Sequence, residues 1–192
     1  PTYNLTVVVD DNDMNISHVI RGEDHISNTP KQMLIYKALG WTIPKFGHLP
    51  MILGSDGKRL SKRHGAKGTS EYKDLGYLPD TLINYLALLG WNPGNNDEIF
   101  DFNYLQENFS LDKVNKKSAV FDTTKLEWVS SQNIFKISSA KLVDIVSEFD
   151  PTWCSEGNSL DYLVNVIDLI KDRIKTLSDI KENSFYFFNH PI

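Results

Sequence analysis

The residues best suited to chemistry lie in one short stretch, Gly54-Ser55-Asp56-Gly57-Lys58-Arg59-Leu60-Ser61-Lys62-Arg63-His64-Gly65. Four cations and a serine fall within six positions, Lys67 follows, and no carboxylate interrupts the run between Asp56 and Glu71. Such a loop can neutralise phosphate oxygens, and its glycines allow backbone conformations and close approaches that other residues resist. A solvated surface turn is the other open reading, since basic runs are common on surfaces. A second group, Arg21-Gly22-Glu23-Asp24-His25, brings a guanidinium, two carboxylates and an imidazole together where a ligand crevice would lie. A local pairing of Arg21 with Glu23 or Asp24 is equally open at this point. Asp10, Asp11 and Asp13 lack the alternation, central glycine and distal glutamate of a helical calcium loop, so they read as turn formers. His48 reads as a structural histidine.

The elements that must position these groups follow from pattern. Tyr3 to Val9 is β-branched and apolar and predicts a buried strand, ended by Asp10-Asp11-Asn12-Asp13. Ile16 to Gly22 predicts a second strand. Thr29 is placed to cap a helix with Pro30 in its first turn, carried by Lys31 to Leu39 and stopped by Gly40. Phe46 to Leu53 predicts a third strand leading into the basic loop. Strand, polar loop, helix and strand in succession imply an α/β layer with ligand groups beyond the strand ends. After the loop, Tyr72 to Gly76 closes a helical turn and Pro79 to Leu89 forms an apolar helix, ended by Gly90 and Pro93. From Asp101 the pattern is helical, over Phe102–Phe109, Thr123–Phe135, Ser139–Phe149 and Leu160–Ile174, with Ser110 and Ser138 or Ser139 as caps. No strand pattern of comparable strength follows Leu53. The expected fold class is therefore α/β followed by all-α. The apolar end, Phe185-Tyr186-Phe187-Phe188, is expected to pack within the chain or against a further segment.

Composition narrows the function classes. The 192 residues are 41% hydrophobic and 23% charged, which is ordinary for a globular protein and sufficient for a sizeable core. A net charge of −5 confines any nucleic-acid contact to a local basic surface, with the loop as first candidate and Lys113, Lys116 and Lys117 as second. The single cysteine, Cys154, excludes an internal disulfide framework and a multi-cysteine zinc site within these residues. It fits a reducing, cytoplasmic setting. No apolar run is long enough to span a bilayer as a helix. Pro1-Thr2-Tyr3 resembles neither an initiator nor a targeting segment, and the chain reads as a piece of something longer.

Three stretches taken together resemble the bacterial glutamyl-tRNA synthetase family, class I aminoacyl-tRNA synthetases. They are Pro1-Thr2-Tyr3-Asn4-Leu5 with Val7-Val8-Val9-Asp10-Asp11, then His18-Val19-Ile20-Arg21-Gly22-Glu23-Asp24-His25 with Asn28-Thr29-Pro30, and Arg59-Leu60-Ser61-Lys62-Arg63-His64-Gly65. The last is similar to the class signature Lys-Met-Ser-Lys-Ser. Gly76-Tyr77-Leu78-Pro79, Asn84-Tyr85-Leu86 and Leu89-Gly90-Trp91 match the stem-contact region that follows it, and the last sixty or so residues carry weaker motifs.

The resemblance implies ATP-dependent activation of L-glutamate and its transfer to tRNA(Glu) in protein biosynthesis. ATP enters as a substrate with Mg2+, no metal site lies within this chain, and the protein is a cytoplasmic monomer. It assigns Arg59, Leu60, Ser61, Lys62 and Arg63 to ATP, with Lys62 and Arg59 as the catalytic cations, and Tyr3 and Arg21 to the glutamate side chain. Asp24 and His25 are further candidates for amino-acid or ATP contacts. Arg59 departs from the usual lysine, and a planar guanidinium is not equivalent to an ammonium. Lys58 is therefore a second candidate for that role.

The resemblance also implies an order of parts. Residues 1–68 correspond to the second half of the Rossmann-type catalytic domain, 69–134 to the stem-contact domain, and 135–192 to the start of a helical anticodon-binding region. The class signature His-Ile-Gly-His does not occur in these residues, so the chain alone is expected not to make glutamyl-adenylate. A glutaminyl-tRNA synthetase is disfavoured by the helical pattern after residue 135, and a queuosine-glutamylating paralogue by the length of that pattern. A non-catalytic tRNA-binding module is the alternative from another class, but it has no need of the pair Tyr3 and Arg21.

Overall fold

A computed structural model describes residues 2–61, 67–154 and 157–189. Helix α1 (Tyr3–Asp13) opens the chain. The expected strand over Tyr3 to Val9 is thus a helix, and the aspartates read as turn formers lie in its last turn. Its reason is packing. Asn4, Val8 and Asp11 recur at helical spacing and face the interior, with Val8 fully buried, and this outweighs the β preference of Val7-Val8-Val9. The helix ends on Asn15 in the left-handed region at φ +56. Ile16 N–H reaches back to the Asp11 carbonyl and Asn15 N–H to that of Asn12, so the last carbonyls are satisfied by a Schellman turn.

Strand β1 (His18–Gly22) continues through a 3-10 segment, Glu23–Asn28, into α2 (Thr29–Ala38). Asn28, rather than Thr29, occupies the cap position, and Gly40 at φ +72 closes the far end as expected. β2 (Lys45–Leu49) returns parallel to β1, with Ile20 opposite Gly47 and Arg21 opposite His48. The sequence from 18 to 49 is therefore one βαβ unit. The strand expected to run unbroken to Leu53 is interrupted at Pro50, and β3 (Ile52–Leu53) forms a separate parallel pair with β4 (Ala119–Val120). The two residues of β4 are a strand that the helical pattern after Leu53 concealed.

The remainder is helical: α3 (Thr69–Asp74), α4 (Pro79–Gly90), α5 (Phe102–Asn108), α6 (Thr123–Lys136), α7 (Ser139–Phe149), α8 (Leu160–Ile170) and α9 (Ser178–Phe188). The expected helix to Ile174 stops at Ile170, and Lys171–Arg173 adds a 3-10 turn. Ser138 caps α7 and Ser110 caps a short 3-10 turn. The main core gathers Ile134, Leu142, Val146, Trp153, Ile167, Ile170 and Ile180 from α6 to α9. A second cluster joins Tyr85 of α4 to Leu126 and Val129 of α6, and a third forms around Trp91, Phe100 and Leu105. α6 thus carries residues of two clusters on one rod. Gly76, at φ +80, lies so close to the backbone of Leu177 and Ser178 that a Cβ would approach to 2.7 Å, which ties the α3–α4 turn to the start of α9. Of the terminal aromatics, Phe188 packs edge-on against Trp153, whereas Phe185 and Tyr186 are exposed.

Candidate ligand site around Arg21 and the basic hairpin

Arg21 sits on β1 near the end from which the 3-10 turn departs. Its guanidinium is held by a hydroxyl, an amide and an imidazole: Nη2 donates to Thr29 Oγ1 at 2.7 Å and to Gln32 Oε1 at 2.9 Å, and Nε donates to His48 Nε2 at 3.5 Å. The group also lies 5.4 Å over the Phe46 ring, a favourable face for a cation. Among the described residues Arg21 makes no ion pair, and its Nη1 donates to none of them. The local pairing with Glu23 or Asp24 does not occur. Glu23 instead accepts from Met51 N–H at 3.0 Å, and Asp24 pairs with Arg59 at 3.2 Å.

The partners are themselves fixed. Gln32 is fully buried on α2, and its amide donates to Asn4 Oδ1 of α1 at 3.1 Å, so both halves of its side chain are satisfied. Thr29 Oγ1 lies 3.0 Å from His48 Nε2, and His48 stacks on Phe46 with only 5° between ring planes. Thr29 therefore serves Arg21 and His48 rather than capping α2. This network holds the guanidinium without an ion-pair partner among the described residues, an arrangement suited to an anionic ligand.

Tyr3 stands at the start of α1, beside Asn4. It is half exposed, and its hydroxyl is 3.3 Å from His25 Nδ1. His25 is also 3.4 Å from Asn28 Nδ2. Tyr3 and Arg21 are thus linked through Asn4 and Gln32, and Tyr3 reaches the 3-10 turn through His25. Farther along the α1–α2 contact, burial pushes the Asp11 carboxyl above the usual carboxylate range, with Arg21 opposing the shift.

The basic stretch starts as a tight hairpin. Gly54 N–H donates to the Lys58 carbonyl, Leu60 N–H to that of Ile52, and Gly57 turns the chain at φ +73. Leu53 faces Arg59 across this hairpin. The Lys58 side chain projects into solvent and among the described residues makes only a long contact of 3.8 Å, to Asp56, while Arg59 bends toward Asp24. Lys62 and Arg63, the central cation of the expected phosphate loop and its neighbour, lie outside the described residues, as does Gly65. Behind the hairpin is an apolar cavity of about 430 Å³, lined by Ile52, Leu60, Tyr72, Leu82, Leu86 and Phe121 among others. Tyr85 closes its floor. The Tyr85 hydroxyl donates to the Asp122 carbonyl and accepts from Asp122 N–H, both at 2.8 Å, and burial pushes its pKa up to about 12.

Of the residues that sequence reasoning singled out, the structure brings Tyr3 to His25 and Asp24 to Arg59, while Arg21 meets Thr29, Gln32 and His48 instead. Sequence reasoning missed Gln32 and Asn4 as an orienting pair. The available signal was the polar Gln32 on a helix face otherwise marked for burial by Tyr36. Among the described residues no group of three His, Cys, Asp or Glu side chains is arranged to hold a metal ion, and no helix is long and apolar enough to cross a membrane.

Comparison with known proteins places these features in context. The family model for class I tRNA synthetases (E and Q), catalytic domain, matches residues 1–128. A glutamate–tRNA ligase 1 of Syntrophus aciditrophicus (strain SB) is 48% identical over 189 residues, covering 98% of this chain and 40% of that protein. A glutamate–tRNA ligase of Desulforudis audaxviator (strain MP104C) is 45% identical over 193 residues, covering 98% of this chain and 38% of that protein. A crystal structure of a glutamate tRNA ligase from Elizabethkingia meningosepticum CCUG26117, in complex with its amino acid, superposes with a TM-score of 0.89 at 32% identity, over 100% of this chain and 41% of that one. The chain therefore spans about 40% of the length of the relatives it matches.

Proposed function

The chain belongs to the class I tRNA synthetases (E and Q), and within that family we propose that it forms part of a glutamate–tRNA ligase. On this reading the protein activates L-glutamate with ATP and transfers it to the 3′ end of tRNA(Glu). Residues 1–68 supply the second half of the catalytic domain, 69–134 the stem-contact domain, and 135–192 the start of a helical anticodon-binding region. The protein works as a cytoplasmic monomer.

The observation that carries the proposal is the orientation of Arg21. Its guanidinium is gripped on one side by Thr29, Gln32 and His48 and pairs with no described carboxylate. A glutamate side-chain carboxylate would meet Nη1, with the Tyr3 hydroxyl as a second donor. Glutamine offers one acceptor oxygen where the carboxylate offers two, and its amide donors would face donors, so the same site rejects it.

In the first step an oxygen of the glutamate α-carboxylate attacks the α-phosphorus of ATP. The bond to the bridging oxygen breaks and pyrophosphate leaves, giving glutamyl-adenylate. In the second, a hydroxyl of the terminal ribose attacks the activated carbonyl and AMP leaves. Negative charge builds on phosphate oxygens in the first step, and cations of the 58–63 stretch stabilise it by position and field. Lys62 is assigned the leaving pyrophosphate, with Arg59, Ser61, Arg63 and Lys58 around it. Mg2+ accompanies ATP as part of the substrate.

The test is aminoacylation of tRNA(Glu) with labelled glutamate by the full-length protein that this reading implies. Charging with glutamate but not glutamine is expected. Charging with glutamine in preference, or binding of tRNA without any charging, would overturn the proposal.

A further inference from the structure

Two consecutive carboxylates of the 3-10 turn grip the two strands of the basic hairpin. Glu23 accepts from Met51 N–H just before β3, and Asp24 pairs with Arg59 on the returning strand. The turn begins three residues or fewer from Arg21 in sequence, so the amino-acid side of the site and the base of the phosphate loop are physically joined.

The position of Asp24 is itself specified. A Cβ placed on Gly22 would come within 2.6 Å of Asp24 Oδ1. Gly22 has φ −65, which any residue adopts, so a side chain there would strain no backbone but would displace the Asp24 carboxylate. The carboxylate lies in the gap left by the missing side chain and from there reaches Arg59.

Arg59 is, with Lys58, a candidate for the first cationic position of the signature, and it faces a carboxylate. The Arg59 side chain is 67% exposed and that of Asp24 33%, so water competes with the pair and holds it weakly. A phosphate group, which a guanidinium can meet with two parallel hydrogen bonds, is the stronger partner. We infer that Asp24 is a positioning residue that holds Arg59 and the hairpin in a ligand-free arrangement and competes with the nucleotide for the guanidinium. This rests on the reading of the loop as an ATP-binding element. Nucleotide binding transfers Arg59 from carboxylate to phosphate and releases the hairpin from the turn that follows Arg21. Asp24 thereby holds the hairpin instead of contacting the amino acid.

Two variants break the latch by different routes: Asp24→Asn removes the charge, and Gly22→Ala displaces the carboxylate while keeping it. The first measurement is amide exchange at Gly54 and Leu60, the hairpin's internal donors, in the 192-residue chain. Both variants are expected to exchange faster by up to about fivefold, the limit for an exposed ion pair. The swapped pair Asp24→Arg with Arg59→Asp should restore the wild-type rate. The second measurement is steady-state kinetics in the full-length protein. Both single variants are expected to lower the KM for ATP, by up to about fivefold on the same reasoning, while the KM for glutamate stays within about twofold. Unchanged exchange in both variants, or an ATP KM that rises in them, overturns the inference. If the full-length protein shows no glutamate-dependent use of ATP, the functional reading fails, and the exchange result still decides the latch.

Discussion

The βαβ unit and the helical region are stabilised in opposite ways. Between residues 2 and 49 the buried apolar side chains are few, Val8, Tyr36 and Pro44, and Asn4 of α1 meets Gln32 of α2, which in turn holds Arg21 of β1. Beyond residue 123, ten buried residues form one apolar cluster in which Trp153 is the polar-edged member, its indole N–H donating to Ser147. A hydrogen-bonded network fixes direction, because each partner accepts only certain geometries, but it adds little net stability. An apolar core adds stability without directing any one side chain. Arg21 and the groups that hold it lie in the first kind of region.

The comparison is sharpest when equivalent damage is done to each side. Ile167→Ala, within the helical core, is expected to cost about 2–5 kcal/mol of unfolding free energy by denaturant titration. Val8→Ala removes fewer methylenes and should cost only about 1.5 kcal/mol. Equal losses per methylene removed would remove the distinction between the two regions.

Gln32→Leu should act in the other direction, sparing volume while stripping Arg21 and Asn4 of a partner. Its expected cost is about 1–3 kcal/mol, appearing mainly as a higher KM for glutamate and only secondarily as a lower melting temperature. A large loss of stability with unchanged glutamate KM would mean that Gln32 serves the core and not the guanidinium.

The smallest effect concerns Asp11, whose carboxyl is raised by burial. A carboxyl with a folded-state pKa above its unfolded value binds protons more tightly when folded, so it opposes folding once ionised. Asp11→Asn should therefore stabilise the chain slightly at neutral pH. The advantage should fade as pH falls through the raised Asp11 value toward the ordinary one of 3.8. A gain that grows on acidification would contradict the burial account.

Much of this was legible in sequence because it depends on local signals. Gly40, Gly76 and Pro79 mark helix ends, and the apolar spacing of α4, α6, α7 and α8 marks buried faces. Arg21, Tyr3 and the basic stretch were found by residue type and order. What escaped was fixed by contacts distant in the chain. Tyr3 to Val9 has strand-like composition, and only the docking of Asn4, Val8 and Asp11 onto α2 makes it a helix. The two residues of β4 are too short to carry a pattern, and they exist because β3 lies beside them. Asp24 pairs with Arg59, thirty-five positions away, a contact that no local signal marks. The roles of Lys62 and Arg63 still rest on sequence.

The central claim is that Arg21 selects a carboxylate side chain. Its most direct test is the ratio of kcat/KM for glutamate over glutamine in the full-length protein, with Arg21→Gln beside the wild type. A site built to hydrogen-bond its substrate should give a wild-type ratio on the order of 10⁴, and Arg21→Gln should bring it close to unity. A wild-type protein that uses both amino acids equally, or a variant whose ratio is unchanged, would contradict the account.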